Sequence, residues 1–158
     1  MSYSLYQNSK SDTSKLQEFI KKYYKKKGHI LSRSKKVFNF FFNFYKNKKI
    51  NFISQKKGGE IISIFGYVPN RNWDYRLEKD VYFGWWQNKN KKNNGLLNLI
   101  YFLKKDWKSI YSMGLNKNNS KKIVEFFGWK FSHLNHYYIK NYKIKASIAK
   151  LFQREKIK

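Results

Sequence analysis

Val81-Tyr82-Phe83-Gly84-Trp85-Trp86-Gln87 is followed by Asn88-Lys89-Asn90-Lys91-Lys92-Asn93-Asn94-Gly95, and then by an apolar run that starts at Leu96. The first segment is aromatic-rich and reads as a β-strand. The asparagine and lysine stretch breaks it, and Leu96 to about Lys105 reads as a helix. Ser109 to Leu115 then reads as a second strand. Ser120 to about Phe127 reads as a second helix that ends on Gly128-Trp129-Lys130. A strand that delivers a glycine-bearing loop to a helix start can turn backbone N–H groups toward a phosphate. The adjacent Trp85 and Trp86 point to opposite faces of such a strand, one filling the core and the other lining a cleft.

Upstream, Tyr3 to Gln7 reads as a short edge strand, and Asn8 to Ser14 as a polar turn. Thr13 or Ser14 would cap a helix through about Lys26. Leu16, Phe19, Ile20 and Tyr23 share one face of that helix, and Gly28 ends it. Ser32 or Ser34 would cap a second helix from Lys35 to about Tyr45, although Val37 to Phe44 also fits a strand. Ile50 to Ser54 alternates like a half-buried strand, and Lys56-Lys57-Gly58-Gly59 has hairpin-turn chemistry. Glu60 to Val68 is apolar on both faces, which predicts a central strand ended by Pro69. Asn70 to Lys79 is a loop with a short helical turn. Downstream, Lys130 to Leu134 and His136 to Ile139 read as a final strand pair, and a lysine-rich tail begins at Asn141.

The chain has 158 residues, the size of one domain, and 41% hydrophobic content gives enough material for a core. Thirty-five basic residues against nine acidic ones give a net charge of +26. Only Arg33, Arg71, Arg76 and Arg154 are arginines. Abundant lysine, asparagine, isoleucine and aromatics with little alanine or proline is the profile of an A+T-rich coding sequence. Nucleic-acid surfaces favour arginine's planar fork, so nucleic-acid binding stands third among the readings. There is no cysteine, hence no disulfide framework or thiolate metal site. Three scattered histidines show no metal-ligand spacing. No signal peptide and no run of the ~20 residues needed to span a bilayer is visible, which predicts a soluble, cytoplasmic protein.

The segment from Asn119-Ser120 through Glu125 to Phe127-Gly128-Trp129-Lys130 resembles the Asn-x-x-Ala…Tyr-Glu-x-x-Gly-Phe-x pattern of the GNAT superfamily of acyl-CoA-dependent N-acyltransferases. The order of elements also resembles that family. Glu18-Phe19-Ile20, His29-Ile30-Leu31-Ser32, Gly66-Tyr67-Val68-Pro69 and Leu134-Asn135-His136-Tyr137-Tyr138-Ile139 are similar to phrases of a branch associated with bacterial surface-polysaccharide and nucleotide-sugar metabolism. The resemblance spans roughly Lys15 to Asn141. It implies an α+β fold with a mixed, mostly antiparallel central sheet and about four helices. It also implies a domain over 1–141 and a basic tail over 142–158 that resembles a truncated extension.

The activity so implied is acyl transfer from acetyl-CoA, or another acyl-CoA, to a small amine or amino-sugar. No metal is implied, and a homo-oligomer is compatible with the family. The cofactor would lie along Trp86 and Gln87. Its pyrophosphate would rest on Asn90, Lys92, Asn93, Asn94, Gly95 and Leu96, with Asn119 nearby. Asn93 stands where the family's loop carries a glycine, and a solvated lysine-asparagine loop accounts for the same residues. Val124 stands where the family places a proton-donating tyrosine, so a fold retained for binding alone is the second reading. His136, Tyr137 and Tyr138 are the substitute acids, and Asp80 at the start of the strand is the candidate base. Asp74 and Glu60 are weaker bases, and His29 reads as a helix-end or packing residue.

Overall fold

Five strands form one sheet in sequence order: β1 (Tyr3–Ser9), β2 (Lys49–Lys57), β3 (Glu60–Pro69), β4 (Asp80–Asn88) and β5 (Ser109–Tyr111). The first three pairings are antiparallel, and β4 with β5 is parallel. Our computed structural model describes residues 3–24, 28–43, 48–90, 95–112 and 120–130. The chain divides into two compact units, Met1–Leu115 and Asn116–Lys158. The sheet belongs to the first.

The predicted hairpin is present. Gly58 and Gly59 both take positive φ, at 56° and 82°, and so make the two-residue turn whose twist suits antiparallel strands. The returning strand β3 is buried from Ile62 to Pro69, as its two-faced apolar pattern requires. One face of the sheet carries α1 (Thr13–Tyr23), α2 (Ile30–Arg33) and α3 (Lys35–Phe42). Leu16, Phe19, Ile20, Leu31, Phe38 and Phe42 pack there on Ile50, Phe52, Ile64 and Val68. The other face carries α4 (Leu96–Leu103). Its Phe102 lies 4.9 Å from the Phe65 ring, which stacks on Phe83 at 4.4 Å.

Several element ends differ from the sequence reading. β1 runs on to Ser9, and a single helical turn (Lys10–Asp12) leads into α1. Neither Thr13 nor Ser14 caps α1. Thr13 is its first residue and donates its hydroxyl to Lys10 O at 2.9 Å. Asp12 instead closes the preceding turn, accepting from Ser9 N at 2.9 Å. The helix stops at Tyr23 rather than near Lys26, because Tyr24 turns extended to place its ring 4.9 Å from His29 and 5.2 Å from Trp85. The predicted helix from Lys35 is α3, and a further short helix, α2, precedes it in place of the expected connection. His29 caps α2, with Nδ1 accepting from Leu31 N at 3.2 Å, and Ser34 caps α3 by accepting from Val37 N at 3.2 Å. The strand alternative at Val37 is excluded. The helices number five rather than about four among the described residues.

In the second unit, α5 (Ser120–Phe126) closes through Gly128 N to Glu125 O at 2.8 Å and Trp129 N to Val124 O at 3.1 Å. That crossed pair of bonds satisfies the carbonyls a helix end leaves bare. The predicted strands after Lys130 lie outside the described residues.

A polar cluster ties β1 and β3 to the chain leaving α4. Tyr67 donates its hydroxyl to Gln7 Oε1 at 3.1 Å, and Lys105 Nζ donates to the same oxygen at 2.9 Å while touching the Tyr67 hydroxyl. Burial, with the charge of Lys49, pushes the Lys105 amine down to about 8. Burial pushes the Tyr67 phenol up to about 12. Lys105 therefore holds fewer protons folded than unfolded between pH 8 and its ordinary value, so stability rises with pH across that window. Urea denaturation from pH 8 to 10 should show the wild type gaining stability relative to Lys105→Met. A pH-independent difference would exclude the shifted amine.

Candidate active site at the fork between β4 and β5

β4 and β5 pair over only three positions: Asp80 with Ser109, Val81 with Ile110, and Tyr82 with Tyr111. The Tyr82 and Tyr111 rings meet at 5.7 Å across the last pair. One residue further on, Ser112 donates its hydroxyl to the Phe83 carbonyl at 2.8 Å, so a side chain takes the place of a ladder bond. From Gly84 to Asn88, β4 pairs only with β3 among the described residues. Among the described residues no strand lies along the other edge of that segment, whose backbone groups are the kind a strand or a ligand pairs with.

The fork coincides with a β-bulge. Gly66 lies opposite Trp85 and Tyr67 opposite Phe83, which leaves Gly84 as an extra residue in β4. The insertion sets the two tryptophans. Trp85 joins the face of Tyr82, where its ring meets His29 at 4.8 Å and Tyr24 at 5.2 Å. Trp86 joins the α4 face, 6.1 Å from Phe65 and 6.0 Å from Phe83. Trp85 is partly buried against the α1–α3 core, and Trp86 stands at the foot of α4.

Gly95 decides the geometry at that foot. It sits just before Leu96 with φ 61°, a left-handed conformation. A Cβ there would strike Asn88 Oδ1 and lie 2.5 Å from Ser63 Oγ and 2.6 Å from Trp86 Nε1. Ser63 donates to Asn88 Oδ1 at 2.7 Å and accepts from the buried Asn98 Nδ2 at 2.9 Å. This polar knot fastens the start of α4 to the ends of β3 and β4. Trp86 Nε1 and Gln87 Oε1 are buried without a hydrogen-bond partner among the described residues. Lys89 holds the loop's first residues in place, its N–H on Ile62 O at 2.8 Å and its ammonium on Glu60 at 2.6 Å. The hydrogen bond from Lys89 lowers the Glu60 carboxyl, which makes Glu60 a partner in an ion pair rather than a base.

Of the residues proposed from sequence, Trp86, Gly95 and Leu96 meet at this foot, Gln87 lies on the opposite face of β4, opposite Ile64, and Asn90 follows closely along the loop. Lys92, Asn93, Asn94, Asn119, His136, Tyr137 and Tyr138 lie outside the described residues. Asp80 stands in the paired part of β4, on the face of Tyr82 and ahead of the fork. Asp74 is held by Arg76 at 2.6 Å. His29 is a helix cap as read, and burial lowers its pKa. Val124 is fully buried and carries no titratable group.

One feature escaped the sequence reading. Phe41, Trp73, Leu77, Tyr82 and Tyr111, with Val68 and Asn70 behind them, line a hollow of about 470 Å³ on the α3 face of the fork. The signal was present in Trp73, Tyr75 and Leu77, apolar residues within an otherwise polar connection.

No family model matches the sequence, and no curated protein matches it. Solved structures do match. An aminoglycoside acetyltransferase, AAC(6')-Iy, bound to a bisubstrate analogue, CoA-S-monomethyl-acetylneamine, has a TM-score of 0.61 at 10% identity and covers 89% of this chain and 99% of its own. An aminoglycoside acetyltransferase from an uncultured soil metagenomic sample gives 0.54 at 13% identity, covering 89% and 99%. A GNAT family acetyltransferase from Staphylococcus aureus gives 0.53 at 16% identity, covering 89% and 100%. The fold is that of the GNAT acetyltransferases. In this GNAT fold the parting strands, the bulge and the glycine-started helix lie in one region of the first unit.

Two substitutions test the construction. Gly95→Ala should lower stability by more than about 1 kcal/mol in denaturant unfolding, because it adds backbone strain and a clash. Wild-type stability would show that the start of α4 has another conformation. His29→Ala should lose about 1 kcal/mol of cap energy, and His29→Asn should restore most of it. Because burial lowers the folded pKa of His29, its contribution is whole above pH 6.5 and fades as pH falls below that. Wild-type stability should therefore drop on acidification through that range more than that of His29→Asn.

Proposed function

We propose that this protein is an acyl-CoA-dependent N-acyltransferase acting on a small primary amine. The observation that carries this reading is the fork. Among the described residues β4 pairs with β5 at three positions, next to a bulge and a helix whose first turn begins on a left-handed glycine. Acyl-CoA would supply the thioester, whose acyl group passes to the amine nitrogen with release of the CoA thiol. The exposed edge of β4 beyond Gly84 would hold the donor's arm and polarise its carbonyl, an effect worth about 3 kcal/mol in comparable sites. The start of α4 would hold the pyrophosphate. Asp80 would accept the amine's proton through water, since it lies about 13 Å along the strand from Gly84 at ~3.3 Å per residue. The sequence phrases around His29 and His136 make amino-sugars of surface-glycan metabolism one candidate class of acceptor, to be compared with other small primary amines.

Calorimetric or thermal-shift titration with acetyl-CoA tests the reading. At 100 times its dissociation constant the donor should add about 2.7 kcal/mol of stability. No stabilisation at millimolar donor would overturn it. A second reading rests on Val124, which is buried and cannot protonate a leaving thiolate. It takes the protein to be a binding module of the same fold. Donor binding with no thiol released in the presence of any amine would favour it.

A further inference from the structure

The hollow beside the fork has the shape and chemistry of an acceptor site, and we infer that it selects an amine carrying one ammonium on an apolar aromatic ring. The inference rests on the acyl-transfer reading for its purpose, but the hollow's selectivity stands on its own observations.

The first is position. Tyr82 and Tyr111, the last pair before the strands part, are also walls of the hollow. Tyr82 precedes Gly84 by two residues, about 7 Å along the strand. A ring seated between Trp73 and Tyr82 therefore lies between Asp80, two residues earlier on the strand, and the segment beyond Gly84 where the donor's acyl group would lie.

The second is surface. The walls are mainly carbon, from Phe41, Trp73, Leu77 and the two tyrosines, with Asn70 as the one amide. Trp73 is 53% exposed, Tyr111 44% and Phe41 40%, so these rings present an apolar face to anything that enters. Contiguous apolar exposure of this kind marks binding surfaces. An aromatic ring would stack there. A pyranose could lay one C–H face on a ring, but the walls offer its hydroxyls few partners, Asn70 and the two phenols.

The third is charge. Aminoglycosides are polycations, and carboxylates are what a site needs in order to hold them. This chain has nine acidic residues against 35 basic ones. The two acids in the connection that lines the hollow are already paired: Asp74 with Arg76 at 2.6 Å, and Glu78 with Arg71 at 3.8 Å. Asp106, before β5, pairs with Lys79. Asp80, on the face of Tyr82, has no ion pair among the described residues. One unpaired carboxylate near the hollow matches one ammonium, and the chain's net charge of +26 disfavours a second.

The experiment uses the full chain at physiological salt and compares phenethylamine, 2-phenylethanol, glucosamine and neamine by ligand-observed NMR and calorimetry, without donor. Phenethylamine should bind at least about tenfold more tightly than glucosamine or neamine, and Trp73→Ala, an exposed position, should weaken it by about tenfold. Asp80→Asn should weaken phenethylamine and leave 2-phenylethanol unchanged. Equal or tighter binding of glucosamine or neamine overturns the assignment, as does phenethylamine affinity unaffected by Trp73→Ala. A parallel acetyl-CoA titration separates the two readings. Phenethylamine binding without donor binding sinks acyl transfer and keeps the hollow's selectivity; donor binding without phenethylamine binding does the reverse.

Discussion

A strand that loses its neighbour halfway along its length must still satisfy its backbone. β4 meets this constraint, and much of the molecule is arranged around it. Up to Tyr82 its outer edge is paired with β5. At Phe83 the serine hydroxyl of Ser112 caps the carbonyl. Beyond that, no strand covers this edge among the described residues, while both faces are covered, by Trp85 with Tyr24 and His29 on one side and by Trp86 with Phe65 and Phe83 on the other. Aromatic cover keeps the segment extended without a second strand, because side-chain packing on the faces replaces what edge pairing would supply. Most other features near the fork serve this cover. α1 ends early so that Tyr24 reaches Trp85, and α2 starts on His29 so that the imidazole completes the stack.

The charge pattern follows a second constraint. Nine acids cannot neutralise 35 bases, and each carboxylate that enters an ion pair is lost to ligands. Glu60, Asp74, Glu78, Asp106 and Glu125 are all paired with lysine or arginine neighbours. Exposed pairs of this kind add little stability, about 0–1 kcal/mol each. Their larger effect is to leave a positive field with few negative sites in it, which suits an anionic donor.

Much of the fold was legible in the residues. Period-two and period-3.6 patterns located every strand, and every helix but α2, of the described chain to within a few residues. The Gly58-Gly59 turn and the doubly buried β3 also followed from composition. What failed was termination. No local signal ends α1 at Tyr23, because the cause is a contact with Trp85, far away in sequence. The short helix α2 was missed because a histidine cap is rarer than a serine or aspartate one. At the site, Gly95 was legible as a glycine between a polar loop and an apolar run. The hollow was not, since Phe41, Trp73, Tyr82 and Tyr111 come from four separate elements and meet only in three dimensions. The faces of Trp85 and Trp86 were open for a related reason. Alternation predicts that they oppose one another but cannot say which is which once an extra residue intervenes.

That extra residue is Gly84. Strict alternation would place residue 85 with Phe83 and residue 86 with Tyr82. The inserted glycine shifts the phase by one, so that Asp80, Tyr82, Trp85 and Gln87 share one side of the strand, while Phe83, Trp86 and Asn88 share the other. A carboxylate, a phenol, an indole and an amide thus form a continuous row across the fork, on the side of the hollow. The left and right of the site are stored as a count of residues rather than in any side chain. Losing one residue from β4 would exchange the row with its opposite even if every functional group survived.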